Sequence, residues 1–281
     1  MAHNASDNSE DRATETADPQ DHRIGDALAR IRHKLIVMSG KGGVGKSSVA
    51  ANLAAALSRK GYATGLLDVD LHGPSIAGML GVKGLLDLTA DQQVAPKTVG
   101  DNLKVVSMQS LMKDPDQAVV WRGPAKTGII RQFIGEVDWG ALDFLIIDSP
   151  PGTGDEPLSV AQTIPGAKAV IVTTPQEVAL ADVRKSINFC RTINLDLVGL
   201  VENMGPFACP CCGKQVELFK SHGGRVTAET MQIDFLGTLP FDPGLVKACD
   251  EGTLITAGDD KGPFVDALDG VVGAIVAKLA P

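Results

Sequence analysis

A doubly wound α/β fold with a mostly parallel sheet is predicted by three features of this 281-residue chain. Short, continuous apolar runs recur along it and alternate with helical patterns, as expected of strands buried on both faces and joined by crossover helices. The hydrophobic fraction of 44% suits one substantial core, and aromatics at only 4% mean that Val, Leu, Ile and Ala must fill it. The first apolar run feeds a glycine-rich turn and then a helical pattern, the strand–loop–helix unit with which many such folds open.

Residues 35–38 read as the first strand and 47–57 as the first helix. Further strands are predicted over 63–67, 103–108, 144–147, 169–172, 197–201 and 235–239. Helices are predicted over 125–135, 179–192 and 264–279. In an open parallel sheet, ligands are expected at the carboxyl ends of the strands. The last helix carries Asp266 and Asp269 against Lys278 alone, which suits core packing better than a basic membrane-binding face. Residues 1–25 are polar and mostly acidic and are expected to form a disordered tail, with 26–281 as one domain.

Composition narrows the function. A net charge of −8 argues against a nucleic-acid surface. No apolar run reaches the roughly 18–20 residues that span a bilayer, and no basic segment followed by an apolar core opens the chain, so neither a membrane nor a secretory route is expected. Five cysteines, an odd number, point to reduced thiols and a cytoplasmic protein.

The run Ser39-Gly40-Lys41-Gly42-Gly43-Val44-Gly45-Lys46-Ser47-Ser48 fits G-x-x-x-x-G-K-[ST], the phosphate-binding loop. Glycines let backbone N–H groups close around phosphate oxygens, and the following helix N-terminus adds partial positive charge. Lys46 is expected at the β- and γ-phosphates and Ser47 on Mg²⁺. Asp68-Val69-Asp70 follows the second strand, and two aspartates beside a phosphate site suit a metal ion and an attacking water. His72 lies in the same turn and reads as a structural or switch residue rather than a general base. Asp148 ends the apolar strand at 144–147, the arrangement that holds Mg²⁺. Gly152, in the Pro150-Pro151-Gly152 segment after it, is placed to offer its N–H to a γ-phosphate. Cys209 and Cys212 form C-x-x-C, a spacing at which both thiolates can grip one centre; zinc and a redox dithiol remain open readings of that pair alone. Cys190 shares a helical face with Val183 and Ile187, and Cys249 follows Leu245 by four residues, so both are expected in the core.

The second lysine within K-G-G-V-G-K-S, Lys41, resembles the deviant Walker A ATPases, which include MinD, ParA, the arsenite pump ATPase and the nitrogenase iron protein. The resemblance implies a P-loop NTPase of this (SIMIBI) type and a nucleotide-sandwich homodimer in which Lys41 reaches the partner's nucleotide. It implies switch I at Asp68 and Asp70, with Asp70 orienting the water and Asp68 nearer the metal, and switch II at 148–155. It also implies that Asn203 reads the adenine edge and that the loop holding Pro240 closes over the base. An ordinary strand-ending asparagine is the alternative for Asn203.

Within this group, Glu202-Asn203-Met204 followed by Phe207, Cys209, Pro210, Cys212 and Gly213 is similar to the Mrp/ApbC family of ATP-dependent iron–sulfur cluster carriers. The likeness extends to D-x-D-x-x-G-P-S at Asp68, to Trp121-Arg122-Gly123-Pro124 and to D-x-P-P-G-T-G-D at Asp148. It implies a slow ATPase using ATP and Mg²⁺, with a [4Fe–4S] cluster bridging Cys209 and Cys212 of two subunits and passing to apo-proteins. Assembly scaffolds would be donors. Cys211 is an extra thiol beside that pair. No cysteine precedes Cys190, so the second cluster of eukaryotic cytosolic scaffold members is not expected, nor is the small N-terminal domain of many bacterial members. The rival readings are a MinD/ParA-like positioning ATPase with structural zinc and a metalloid-responsive ATPase.

Overall fold

The computed structural model describes residues 19–71, 73–111, 123–209, 211–219, 222–253 and 262–280. The first half runs α1 (Pro19–Ala29), β1 (Ile31–Ser39), α2 (Lys46–Arg59), β2 (Thr64–Asp68), α3 (Ile76–Met79), β3 (Asp87–Leu88), β4 (Val94–Ala95), β5 (Lys97–Val99) and β6 (Leu103–Ser107). Then come α4 (Gly123–Gly135), β7 (Leu142–Asp148), α5 (Asp155–Thr163), β8 (Lys168–Thr173) and α6 (Glu177–Thr192). The chain ends with β9 (Asp196–Gly205), β10 (Phe207–Ala208), β11 (Gln215–Val216), α7 (Gly223–Thr230), β12 (Phe235–Pro240), α8 (Pro243–Asp250) and α9 (Pro263–Leu279).

The main sheet has the order β12-β9-β8-β1-β7-β2-β6-β5. Every neighbouring pair is parallel except β5 with β6. Each predicted strand lies in this sheet and each predicted helix is present, which is the doubly wound P-loop NTPase architecture. Successive residues of β1 supply opposite faces. Leu35 and Val37 join the core under α2 and α9, whereas Ile36 and Met38 join the core under α1, α4 and α6.

Helix α2 forms readily because alanines at 50, 51 and 54–56 have high helix propensity. They are also small enough to lie buried against the strands. Helix α9 buries Phe264, Val265, Leu268, Val271, Val272 and Ile275, each worth about 1.5–3 kcal/mol as an upper bound. It packs on the core as expected. Cys190 is fully buried, as expected, while Cys249 is only partly so.

The expected disordered tail is corrected at its end. Residues 19–25 belong to helix α1, and Ile24 and Leu28 are buried against α4 residues such as Phe133. Those two apolar side chains, one helical turn apart, order a segment whose average composition is polar. Residues 1–18 lie outside the described residues, as do His72, Trp121 and Arg122.

Candidate nucleotide and thiolate site

Strand order places the phosphate loop at the centre of the sheet, where β1 lies between β8 and β7. The loop joins β1 to α2, and Gly45, at φ +80°, caps the helix in a conformation that favours glycine. Gly40 is demanded by packing: a Cβ there would lie 2.4 Å from the Asp182 carbonyl carbon in α6. A cavity of about 250 Å³ opens on the loop and is lined by Lys41, Lys46, Ser47, Asp70, Ser75 and Pro151, among others. A larger one, about 410 Å³, lies at the other end of the strands, between α1 and residues 135–139. Arg30 and Asp138, 3.6 Å apart, are among its lining residues.

Of the acidic residues predicted at 68, 70 and 148, the last two reach Lys46. Its Nζ donates to Asp148 Oδ1 at 2.6 Å and lies 3.9 Å from Asp70 Oδ2. Asp68 is fully buried. Its Oδ1 accepts from the Asp70 N–H, and its Oδ2 accepts from the Ser107 hydroxyl at 2.8 Å and the Ile76 N–H at 3.4 Å. Burial, then the charge of Asp148, pushes the Asp68 carboxyl up to about 7. Burial also raises the Asp148 carboxyl, against the pull of Lys46. Asp70 Oδ1 accepts from the Gly73 N–H at 3.3 Å.

Asp148 Oδ2 is buried and has no hydrogen-bond partner. An unpartnered oxygen on a buried carboxyl that also interacts with the Ser47 hydroxyl fits a hard divalent cation that takes oxygen ligands. Ser47, Asp148 and Asp68 are the residues that would hold Mg²⁺, and the loop from Gly40 to Ser48 would hold phosphate.

Two expected contacts stand differently. The Gly152 N–H, expected at a γ-phosphate, donates to the Ser39 carbonyl at 2.8 Å. Offering it to a phosphate requires that bond to open. Asn203, expected at the adenine, is buried beneath the loop with Nδ2 donating to the Val44 carbonyl at 2.9 Å. Pro240 ends β12 opposite Gly205, and the next residue, Phe241, packs its ring 5.4 Å from that of Phe207. Lys41 borders the cavity, and its carbonyl accepts from the Ser39 hydroxyl.

Cys209, Cys211 and Cys212 sit on an excursion between β9 and α7 that carries the β10–β11 hairpin. Cys211 and Cys212 are exposed and Cys209 is half-buried. The Gly213 N–H donates to the Cys209 carbonyl at 2.8 Å, which closes a tight turn. Backbone N–H groups of Cys211, then Cys212, aim at the Cys209 sulfur and hold its thiol below the ordinary range, as befits a thiolate ligand. Among the described residues, no cluster of three or more His, Cys, Asp or Glu side chains is arranged to hold a metal ion within one subunit. No described helix is long and apolar enough to cross a membrane.

Ser107 and Glu202 were not singled out as site residues by motif. Ser107 had one available signal, since it lies near the end of the strand predicted over 103–108; in the sheet it pairs with Asp68 at the end of β2. Glu202 opens the Glu202-Asn203-Met204 motif; it is 1% exposed and accepts from the Gly224 N–H at 2.6 Å and the Thr238 hydroxyl at 3.1 Å.

Comparisons with known proteins agree with this geometry. A ParA-type family model described as NUBPL iron-transfer P-loop NTPase matches residues 30–276. An iron–sulfur cluster carrier protein of Methanocaldococcus jannaschii is 45% identical over 234 residues, 83% of this chain and 81% of that one. Another from Saccharolobus solfataricus is 50% identical over 227 residues, 80% and 76% of the two chains. Among solved structures, a nucleotide-binding protein from Archaeoglobus fulgidus in complex with ADP superposes with a TM-score of 0.75 at 38% identity, covering 87% of this chain and 95% of that one. The cell division ATPase MinD of Pyrococcus furiosus shares the fold, with a TM-score of 0.66 at 22% identity over 88% and 99% of the chains. The phosphate loop, the acidic residues gathered on Lys46 and the family match over nearly the whole domain make this chain a member of the ParA-type, NUBPL-like iron-transfer P-loop NTPases, the deviant Walker A group to which Mrp/ApbC proteins belong.

Proposed function

We propose that this protein is an ATP-hydrolysing iron–sulfur cluster carrier that acts in the cytoplasm. One observation carries the reading: a phosphate loop with its buried acidic residues shares a chain with an accessible Cys209–Cys212 pair in which backbone N–H groups favour the Cys209 thiolate. The names of its relatives in two archaea support the same reading.

The cargo is a [4Fe–4S] cluster. One C-x-x-C supplies two of the four thiolates such a cluster takes, and a second subunit supplies the others. The working unit is therefore a homodimer, with Lys41 of each subunit facing the partner's nucleotide. Lys46 and the loop amides hold the phosphates, Ser47, Asp148 and Asp68 hold Mg²⁺ and Asp70 orients the water. Turnover is slow and coupled to loading or release. Donors are assembly scaffolds and recipients are apo iron–sulfur proteins.

Anaerobic purification followed by iron, acid-labile sulfide and zinc analysis tests this. About four irons and four sulfides per dimer, with the broad visible absorbance of a cluster, are expected. Zinc without sulfide would replace the reading with that of a positioning ATPase holding a structural metal.

A further inference from the structure

Glu202 and Asn203 are neighbours near the carboxyl end of β9. Successive strand residues point to opposite faces, and these two reach in opposite directions to two functional segments. Asn203 reaches the phosphate loop, 159 residues away, by its bond to the Val44 carbonyl. The fit there is tight: a Cβ on Gly45 would lie 2.2 Å from Asn203 Nδ2. The loop backbone therefore rests directly on this amide.

Glu202 reaches the other way. Its carboxylate accepts from the Gly224 N–H at 2.6 Å in the first turn of α7, and from the Thr238 hydroxyl in β12. A carboxylate at a helix N-terminus is stabilised by the helix dipole as well as by the hydrogen bond. Helix α7 is where the cysteine excursion, residues 206–222, returns to the sheet. Its outgoing stem leaves β9 at Gly205, three residues after Glu202, and is held by the Phe207–Phe241 ring contact. Between Asn203 and that stem, Met204 holds φ +58°, a left-handed conformation uncommon for a residue with a side chain.

We propose that Glu202 and Asn203 are positioning residues that couple occupancy of the phosphate loop to the geometry of the Cys209–Cys212 hairpin. The inference rests on the proposed function, since it assumes that the loop takes a nucleotide and the hairpin carries the working thiols. A nucleotide that shifts the Val44–Gly45 backbone moves the acceptor of the Asn203 amide. The strand end then carries that shift to Glu202 and so to the stem of the excursion. Thermodynamic reciprocity requires that a ligand gripped by the cysteines alter nucleotide affinity through the same contacts. A hydrogen-bonded route of this kind is established only by showing that its members couple.

The test uses the full chain, reduced, cluster-free and anaerobic. N-ethylmaleimide labelling is followed cysteine by cysteine with peptide mass spectrometry, with and without saturating Mg·ADP. In the native chain Mg·ADP should change the labelling rates of Cys209 and Cys212 by about fivefold or more, the lower end of ordinary allosteric coupling. Asn203→Ala and Glu202→Ala should each reduce that response to under about twofold, and the double variant should show no further loss, as expected of residues on one route. Glu202→Ala empties a buried site, so Glu202→Gln accompanies it; Gln keeps an acceptor for the Gly224 N–H and should keep the response. Mg·ADP that binds the native chain without changing the thiol rates would overturn the inference and leave the nucleotide site standing. Mg·ADP that does not bind would overturn the functional reading and the inference with it. A native response in both alanine variants, or its loss in Glu202→Gln, would overturn the assigned contacts.

Discussion

Asp68 and Asp148 face each other in register on adjacent parallel strands, both fully buried, with Lys46 bonded to only one of them. Two carboxylates so placed resist ionising together. The Asp68 carboxyl, pushed up to about 7, lies above its ordinary value of 3.8, so the folded chain binds this proton more tightly than the unfolded chain does. The linkage slope is therefore negative across that window: this contribution to stability is present at the acid end and is lost as pH rises through about 7. Nucleotide-free, Mg²⁺-free protein should lose melting temperature as pH rises from about 3.8 to about 7 and level off above that, and Asp68→Asn should flatten that slope. A carbon NMR titration of the Asp68 carboxyl with its midpoint near 4 would remove the basis for the prediction.

Lys46 bonds Asp148 of this acidic pair and is also the expected phosphate ligand. Lys46→Ala should weaken Mg·ATP binding by more than about 100-fold, the cost of losing a charge-assisted contact in a dehydrated site. Calorimetry reads this directly. Tight binding by that variant would displace Lys46 from the site. Lys41→Ala, on the cavity rim, should still bind nucleotide but lose hydrolysis; unchanged turnover would reject its cross-subunit role.

Much of this was legible in the sequence, and the physical reason is locality. The phosphate loop, the aspartates at strand ends and the C-x-x-C pair are short-range patterns, and strands buried on both faces announce themselves as apolar runs. The structure adds what depends on distant partners. Ser107 meets Asp68 across 39 residues, and Asn203 meets Val44 across 159. No window along the chain holds both members of either pair. Strand β5 has three residues and only its antiparallel partner to define it. Helix α1 was hidden because two apolar residues, Ile24 and Leu28, decide its fate against a polar average.

Asp70 borders the cavity and lies 3.9 Å from Lys46, which suits a residue that orients water rather than one that binds phosphate. Asp70→Asn keeps the size and removes the charge. Mg·ATP binding should persist, while single-turnover hydrolysis should fall about 100-fold, the scale of a positioned acid–base group. Hydrolysis at the native rate would reduce Asp70 to a turn residue held by the Gly73 N–H.

The cysteines divide by environment. Burial pushes the Cys190 thiol up to about 12 and raises that of half-buried Cys249, whereas the N–H groups of Cys211 and Cys212 lower that of Cys209. Thiolate is the metal-binding form, so ligands should come from the hairpin alone. At pH 8, Cys190 should resist alkylation until the chain unfolds. Cys209→Ala and Cys212→Ala should each lose iron and sulfide and shift anaerobic protein toward monomer in sedimentation. Cys211→Ala should lose little, because its neighbours already form the chelating pair and adjacent residues project differently. Four irons retained on a monomer, or a Cys211 variant as empty as the other two, would require a different ligand set.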